Sequence, residues 1–325
     1  MARVLVVPDV HGSHEWEVVK TYPKDSYDYI VFLGDYFDSW ENKWDDQGEN
    51  FLNICRFVDE DKEHRKMLIG NHDFSYLSGT RDGSNCSGHQ HSKIGVIRSL
   101  LTENLDLIDL AFEVDGCVFA HAGFTNYWVG CMKQHMHQIY DEWPDDETGN
   151  PGKVWDESEW SIQFLNSHWH KLTHTPGDET FEYGFDELID WHGFMSGSGD
   201  EVMQGPTWVR PSSLIRDGFY PLQVVGHTEY AIFEPLSLKG DKGIVIVCDS
   251  PSHKVYGVID TNNVPTPKTI PEFNAWWKNF EKSVLDFKSE QGSKMDYTKE
   301  MIMPKIIERF GKDRAEVIYD LYFKE

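Results

Sequence analysis

Hydrophobic positions fall in short runs separated by longer polar stretches. Val4–Val7, Tyr29–Leu33, Lys66–Ile69, Cys117–Ala120, Leu222–Val225 and Ile244–Val247 gather mostly Val, Ile, Leu and Phe. Runs of this length, bounded by Gly or Asp, predict strands buried on both faces. Val255–Ile259 follows the sixth run closely and predicts its hairpin partner. The segments between the first three runs are long enough for helices. In Asn50–Glu60, the residues Phe51, Ile54, Cys55 and Val58 share one helical face. The pattern predicts an α/β fold with a partly mixed sheet.

Two segments break this rhythm. Asp141–Gly205 is polar and rich in Trp, Asp, Glu and Gly, which predicts an insertion or irregular loops over the core. Its tryptophans (Trp143, Trp155, Trp160, Trp169, Trp191) are read as pins for those loops rather than as a cleft lining, because scattered aromatics pack. After Asp260 comes a proline-rich link, NNVPTPKTIPEF, and then a charged stretch to Glu325. There Ile306, Ile307, Phe310, Val317, Ile318 and Leu321 form an amphipathic stripe across two helices. The expected division is a main domain over 1–261, with 141–205 on its substrate side, and a helical appendage over 262–325.

Charge narrows the choice of partners. The 325 residues carry 55 acids and 30 bases, a net charge of −25. Such a balance excludes a general binder of long nucleic acids or anionic membranes, which need positive surface. A phosphate substrate held by a few local cations stays compatible. With 39% hydrophobic and 14% aromatic residues, the chain is no acidic disordered tail. Its apolar runs are too short for a signal-peptide core or a membrane span. Five cysteines, an odd number with no CxxC pair, predict reduced thiols and a cytoplasmic protein.

The chemistry gathers at the ends of the predicted strands. Asp9 and His11 follow the first in PDVHG, and Asp35 and Asp38 follow the second in GDYFD. Asn71, His72 and Asp73 follow the third in GNHD, His121 the fourth in HAG, and His227 the fifth in GHT. Each piece alone fits a cap or a turn. Together, at five successive strand ends, they mark the place where open α/β sheets collect ligands. Asp, Asn and His supply oxygen and nitrogen donors for Mn, Fe, Zn or Mg. A carboxylate shared by two ions about 3.5–4 Å apart lets them act jointly on a phosphate.

In that order the motifs resemble those of the metallophosphoesterases, and most of all the phosphoprotein phosphatase branch with its bacterial and bacteriophage serine/threonine phosphatases. That branch reads GDxHG, GDxxDRG, GNHE, HGG and a later GH, and the likeness spans roughly residues 1–260. It implies a four-layered α/β/β/α sandwich and a catalytic role for residues 1–261. By the resemblance, Asp9 and His11 bind a first metal, Asp35 bridges, and Asn71, His121 and His227 bind a second. His72 then protonates the leaving oxygen and Asp38 orients its ring. Glu229 stands where many relatives carry the second His of GHxH, which again fits the phosphoprotein phosphatase pattern. The late segment CDSPSHKVYGVID is similar to that branch's closing hairpin.

The phosphate clamp departs from the pattern. Ser39 replaces the arginine of GDxxDRG, so one phosphate contact is missing or supplied from elsewhere. Arg210, in GPTWVRP, resembles the second phosphate-binding arginine, and its guanidinium suits bidentate bonding to phosphate oxygens. Arg81 is a further candidate cation, while His89, His91, His135 and His137 are read as solvated loop residues. The expected activity is hydrolysis of phosphomonoesters, phosphoproteins included, by a hydroxide held between two divalent ions, manganese first. The alternatives are a phosphodiesterase or dinucleoside polyphosphate hydrolase using the same site, made more credible by Ser39, and a silent binding module. The expected partner is a phosphorylated protein or nucleotide, with no long nucleic acid and no membrane.

Overall fold

Among the described residues, ten strands form two five-stranded sheets, in the orders β10-β1-β2-β3-β4 and β5-β6-β7-β9-β8. The strands of the first are β1 (Arg3–Val7), β2 (Tyr29–Phe32), β3 (Arg65–Leu68), β4 (Ile108–Asp109) and β10 (Gly257–Asp260). Those of the second are β5 (Ala111–Val114), β6 (Cys117–Ala120), β7 (Leu222–Val225), β8 (Leu236–Ser237) and β9 (Ile244–Val247). The structure is a computed structural model that describes residues 2–39, 42–77, 86–141, 156–174, 189, 200–229, 235–239, 242–249, 257–261, 282–288 and 299–310.

Side-chain alternation along the strands builds the layers. On β1, Leu5 and Val7 face one way and join Ile30, Phe32 and Met67 beneath Trp16, Phe51, Ile54 and Leu101. These last belong to a helical layer that includes α1 (Trp44–Asp59) and α3 (Ile94–Thr102). Val4 and Val6 face the other way, with Val31, Leu33 and Leu68, and meet Phe119, Val224 and Ile246 of the second sheet. The far face of that sheet, through Val225, Val245 and Val247, packs on Leu214 and Ile215 of α6 (Pro211–Asp217). The order helix, sheet, sheet, helix is the expected α/β/β/α sandwich.

Both sheets are mixed. β1 to β4 run parallel and β6, β7 and β9 run parallel, with antiparallel strands at the edges. The hairpin expected between Ile244–Val247 and Val255–Ile259 does not form. The last strand does not pair with β9 but lies antiparallel on β1, from Arg3↔Asp260 to Val6↔Gly257. β9 already has β7 on one edge and β8 on the other, while β1 offers an open edge.

Part of the polar segment covers the sandwich. On α5 (Ile162–His174), Trp169 Nε1 donates to the Ile108 carbonyl at 2.6 Å. Asn166 Oδ1 accepts from Leu110 N and Ala111 N, both at 3.2 Å, where the chain passes from one sheet to the other. Trp160 Nε1 donates to Tyr220 Oη at 3.1 Å, so both tryptophans serve as pins. Trp143, Trp155 and Trp191 lie outside the described residues. Toward the C-terminus, residues 282–288 are helical and bury Val284 and Phe287. α7 (Lys299–Phe310) buries Ile302 and Ile306, while Val317, Ile318 and Leu321 lie outside the described residues. Among the described residues no helix is long and apolar enough to cross a membrane.

Candidate active site

The carboxyl ends of β1, β2 and β3 in one sheet, and of β6 and β7 in the other, open toward a cleft of about 1100 Å³. Asp9, His11, Asp35, Asn71, His72, Arg210 and His227 line it. Asp38 and His121 are fully buried behind that lining. All nine residues singled out from the sequence are thus gathered around one cleft. Arg81 lies outside the described residues.

The backbone is bent for this purpose. His11, Asp35, Asp38 and His227 adopt positive φ (43°, 53°, 63° and 62°). A left-handed conformation costs a non-glycine residue about 1–2 kcal/mol. The fifth such residue among those described, Asp115, sits with Gly116 in the β5–β6 hairpin turn, where positive φ is the norm. Strain of this kind concentrates where function needs a side chain aimed against its backbone preference. The adjacent glycines have a matching reason. A Cβ on Gly70 would strike the Asp35 carboxylate, and one on Gly226 the Asp9 carboxylate.

Asp35 is the hub. Its Oδ2 lies 3.7 Å from His11 Nε2, 3.5 Å from His121 Nε2 and 4.0 Å from His72 Nε2. The ring of His11 is fixed by Nδ1–H donation to the Phe37 carbonyl at 2.8 Å, and that of His121 by donation to the Leu33 carbonyl at 2.9 Å. A carbonyl only accepts, so each Nδ1 carries the proton and each Nε2 offers a lone pair. Burial lowers the pKa of His121 and lowers that of His227 strongly, which keeps both rings neutral.

This arrangement supplies a test for a bound cation. His121 Nε2 faces Asn71 Oδ1 at 2.8 Å, and His227 Nδ1 faces the same oxygen at 3.0 Å. Asn71 Nδ2 is turned away and donates to Cys86 Sγ at 3.2 Å. The lone pairs of His121 and of the Asn71 carbonyl therefore point at each other in a buried space. Two acceptors in that relation are stable when a cation lies among them, so the donor set fits divalent ions. By distance the donors form two groups that share Asp35, namely His11, Asp35 and His72, and Asp9, Asp35 and His121. The family resemblance puts Asp9 with His11, and Asp9 Oδ1 also accepts from His227 N at 2.9 Å.

His72 is held differently from the other histidines. Its Nδ1 lies 2.8 Å from Asp38 Oδ2, and its backbone N–H donates to Asp35 Oδ1 at 3.0 Å. Burial, the largest influence on the imidazole, lowers its pKa, but the charge of Asp35 and the hydrogen bond to Asp38 outweigh it and lift the pKa to about 9. Its Nε2 faces the hub, 4.0 Å from Asp35 Oδ2.

The motifs do not show what some residues support. Asp73 is fully buried and accepts from Tyr36 N at 2.8 Å and Gly70 N at 3.1 Å, so it ties the loop after β2 to the loop after β3. Tyr76 donates to Asp38 Oδ1. The one sequence clue to Tyr76 is its place four residues after His72, on the same side of α2 (Asn71–Leu77). His89 is not a solvated loop residue, since its ring stacks on Tyr76 at 4.3 Å and 13°.

Around Ser39 the described hydrogen-bonding side chains, Ser39, Asn42 and Gln47, are neutral. Ser39 N donates to Gln47 Oε1 at 3.1 Å, and Ser39 Oγ accepts from Asn42 N at 3.0 Å. Asn42 Nδ2 donates to the Gly12 carbonyl at 2.9 Å, and Gln47 Nε2 to the Asn42 carbonyl at 2.8 Å. Gly12 has no room for a Cβ against Gln47 and Ser39. On the opposite wall Arg210 opens α6 and donates to Thr228 Oγ1 at 3.4 Å.

Two sheets between helices, with donors from five strand ends around a shared carboxylate, define a metallophosphoesterase fold. The chain belongs to the calcineurin-like phosphoesterase family, whose model matches residues 2–228. No curated protein matches it in sequence. Among solved structures, the cold-active protein-tyrosine phosphatase of a psychrophile, Shewanella sp., is 16% identical, over 77% of this chain and 72% of that one, with a TM-score of 0.44. A protein serine/threonine phosphatase from Saccharomyces cerevisiae is 10% identical, over 77% and 68%, with a TM-score of 0.33. A metallophosphoesterase from Sphaerobacter thermophilus is 16% identical, over 41% and 55%, with a TM-score of 0.22.

Proposed function

We propose that the chain is a two-metal phosphatase that hydrolyses phosphomonoesters, including phosphoserine or phosphothreonine in proteins. The observation that carries this reading is the place of Asp35 Oδ2 between the Nε2 atoms of His11 and His121, at 3.7 and 3.5 Å. Asp9, His11 and Asp35 would hold one divalent ion, and Asp35, Asn71, His121 and His227 the other. Manganese is the first candidate, and Fe, Zn and Mg suit the same donors. When bound, two such ions acidify water and polarise phosphoryl oxygens.

The chain's own groups do the rest. Arg210 binds the phosphoryl oxygens and offsets their charge through two parallel N–H donors. His72 gives its Nε2 proton to the ester oxygen as the P–O bond breaks, so that an alcohol rather than an alkoxide leaves. Asp38, at 2.8 Å from Nδ1, fixes the ring and stabilises its charged form. The neutral wall of Ser39, Asn42 and Gln47 favours a second reading, a phosphodiesterase or dinucleoside polyphosphate hydrolase, because a monoanionic diester needs less positive charge than a dianionic monoester.

Both readings are tested by hydrolysis of a monoester and a diester of one chromogenic phenol, with and without manganese. The first expects metal-dependent cleavage of the monoester, and preference for the diester would replace it with the second. His72→Ala separates the roles of the histidines. It should lower turnover while leaving the bound metal unchanged, and loss of metal instead would make His72 a ligand.

A further inference from the structure

Asp38 uses both carboxylate oxygens. Oδ2 takes His72 Nδ1 at 2.8 Å, and Oδ1 accepts from the Tyr76 hydroxyl. That hydroxyl in turn accepts from Gln90 N at 2.8 Å. Asp38 and Tyr76 are both fully buried, with no solvent to replace a lost partner. The ring of Tyr76 is held as well, between Phe37 at 6.4 Å and the stacked His89 at 4.3 Å. The hydroxyl therefore has one geometry, fixed by segment 86–91 on one side and by Asp38 on the other.

We propose that Tyr76 is a positioning residue for proton transfer, acting through Asp38 on His72. Rotation of the carboxylate about its Cβ–Cγ bond breaks one buried hydrogen bond when only His72 is bound and two when Tyr76 is bound as well. Tyr76 thus holds Oδ2 at His72 Nδ1 and keeps Nε2 facing the hub. The proton that Nε2 gives to the departing oxygen is regained from water. The segment that carries His89 and Gln90 becomes part of the catalytic support through this one hydroxyl.

The kinetic test rests on the phosphomonoesterase reading and uses Tyr76→Phe in the metal-loaded enzyme. An activated aryl ester leaves without help from an acid, whereas phenyl phosphate needs the proton. The variant should lose roughly tenfold in kcat on phenyl phosphate and less than about twofold on 2,4-dinitrophenyl phosphate, a partial loss of the 10²–10⁴-fold that general acids supply. Its KM and metal content should match wild type. In an Asp38→Asn background Tyr76→Phe should add no further loss. Equal losses on both esters, or full additivity with Asp38→Asn, would overturn the proposal and leave the phosphatase reading standing.

A second readout is independent of turnover. In histidine-labelled, zinc-loaded protein, the Nδ1 proton resonance of His72, assigned by its absence in His72→Gln, should move upfield and exchange faster in Tyr76→Phe. An unchanged resonance would overturn the positioning role. If wild-type protein cleaves neither ester, the functional reading fails and the resonance alone decides the role of Tyr76.

Discussion

Asp73 offers the sharpest test of how the site is held together. It is fully buried, and its two oxygens accept the backbone N–H groups of Tyr36 and Gly70 at 2.8 and 3.1 Å. Those residues flank Asp35 and Asn71, so Asp73 latches together the two loops that carry the hub and the amide. A buried N–H group left without its acceptor costs about 1–3 kcal/mol, so Asp73→Ala, which strands two, should cost about 2–6 kcal/mol. Asp73→Asn keeps the shape and one acceptor, but turns an NH2 toward the second N–H, and should cost about 2–4 kcal/mol. Asp73→Glu, which restores the residue found in GNHE, forces an extra methylene into a closed space and should cost about 1–3 kcal/mol. The assay is urea unfolding of metal-free protein followed by tryptophan fluorescence. At a slope of about 3 kcal/mol per molar, a loss of 3 kcal/mol moves the midpoint by about 1 M. If Asp73→Asn unfolds within about 0.3 M of wild type, less than 1 kcal/mol by the same slope, the latch does not bear on stability and the reasoning is refuted.

Two further outcomes follow from the same geometry. Gly226→Ala places a Cβ against Asp9 Oδ1 and should weaken metal binding by about 10–100-fold, as loss of ligand support does elsewhere, with an unchanged far-ultraviolet circular dichroism spectrum. Wild-type affinity in that variant, measured by metal titration, would show that Asp9 is not a ligand. Chelation should lower the melting temperature, because the donors converge only in the folded chain. Metal at a hundred times its Kd stabilises by about 2.7 kcal/mol per site, or roughly 5 °C in a chain of this size. An identical melting temperature with and without a chelator would argue against any metal at these residues.

Much of this was legible in the sequence because each of the five strands that lead to the site ends in its own short motif. A buried strand followed by Gly and then Asp, Asn or His states both the element and the direction in which its chemistry lies. Pairing across the fold was not legible. β10 follows β9 closely in the chain, yet joins β1 in the other sheet, since edges are filled by three-dimensional availability and not by sequence distance. β4 is two residues long, too short for any periodicity. Supporting residues were hidden for a different reason. Asp73 reaches Tyr36 and Tyr76 reaches Asp38, 37 and 38 positions away in the chain, and no local pattern marks such contacts. The replacement of an arginine by Ser39 was visible, but the amide wall behind it needs Gln47, Asn42 and Gly12 to be brought together by folding.

In the proposed site Asp35 joins two metal positions. The most direct measurement is the metal content per chain after loading with manganese and removing free ion, for wild type and for Asp35→Asn. Two ions per chain in wild type, and fewer in the variant with its fold intact, are the predicted result. One ion or none in wild type, or an undiminished pair in Asp35→Asn, would contradict the account.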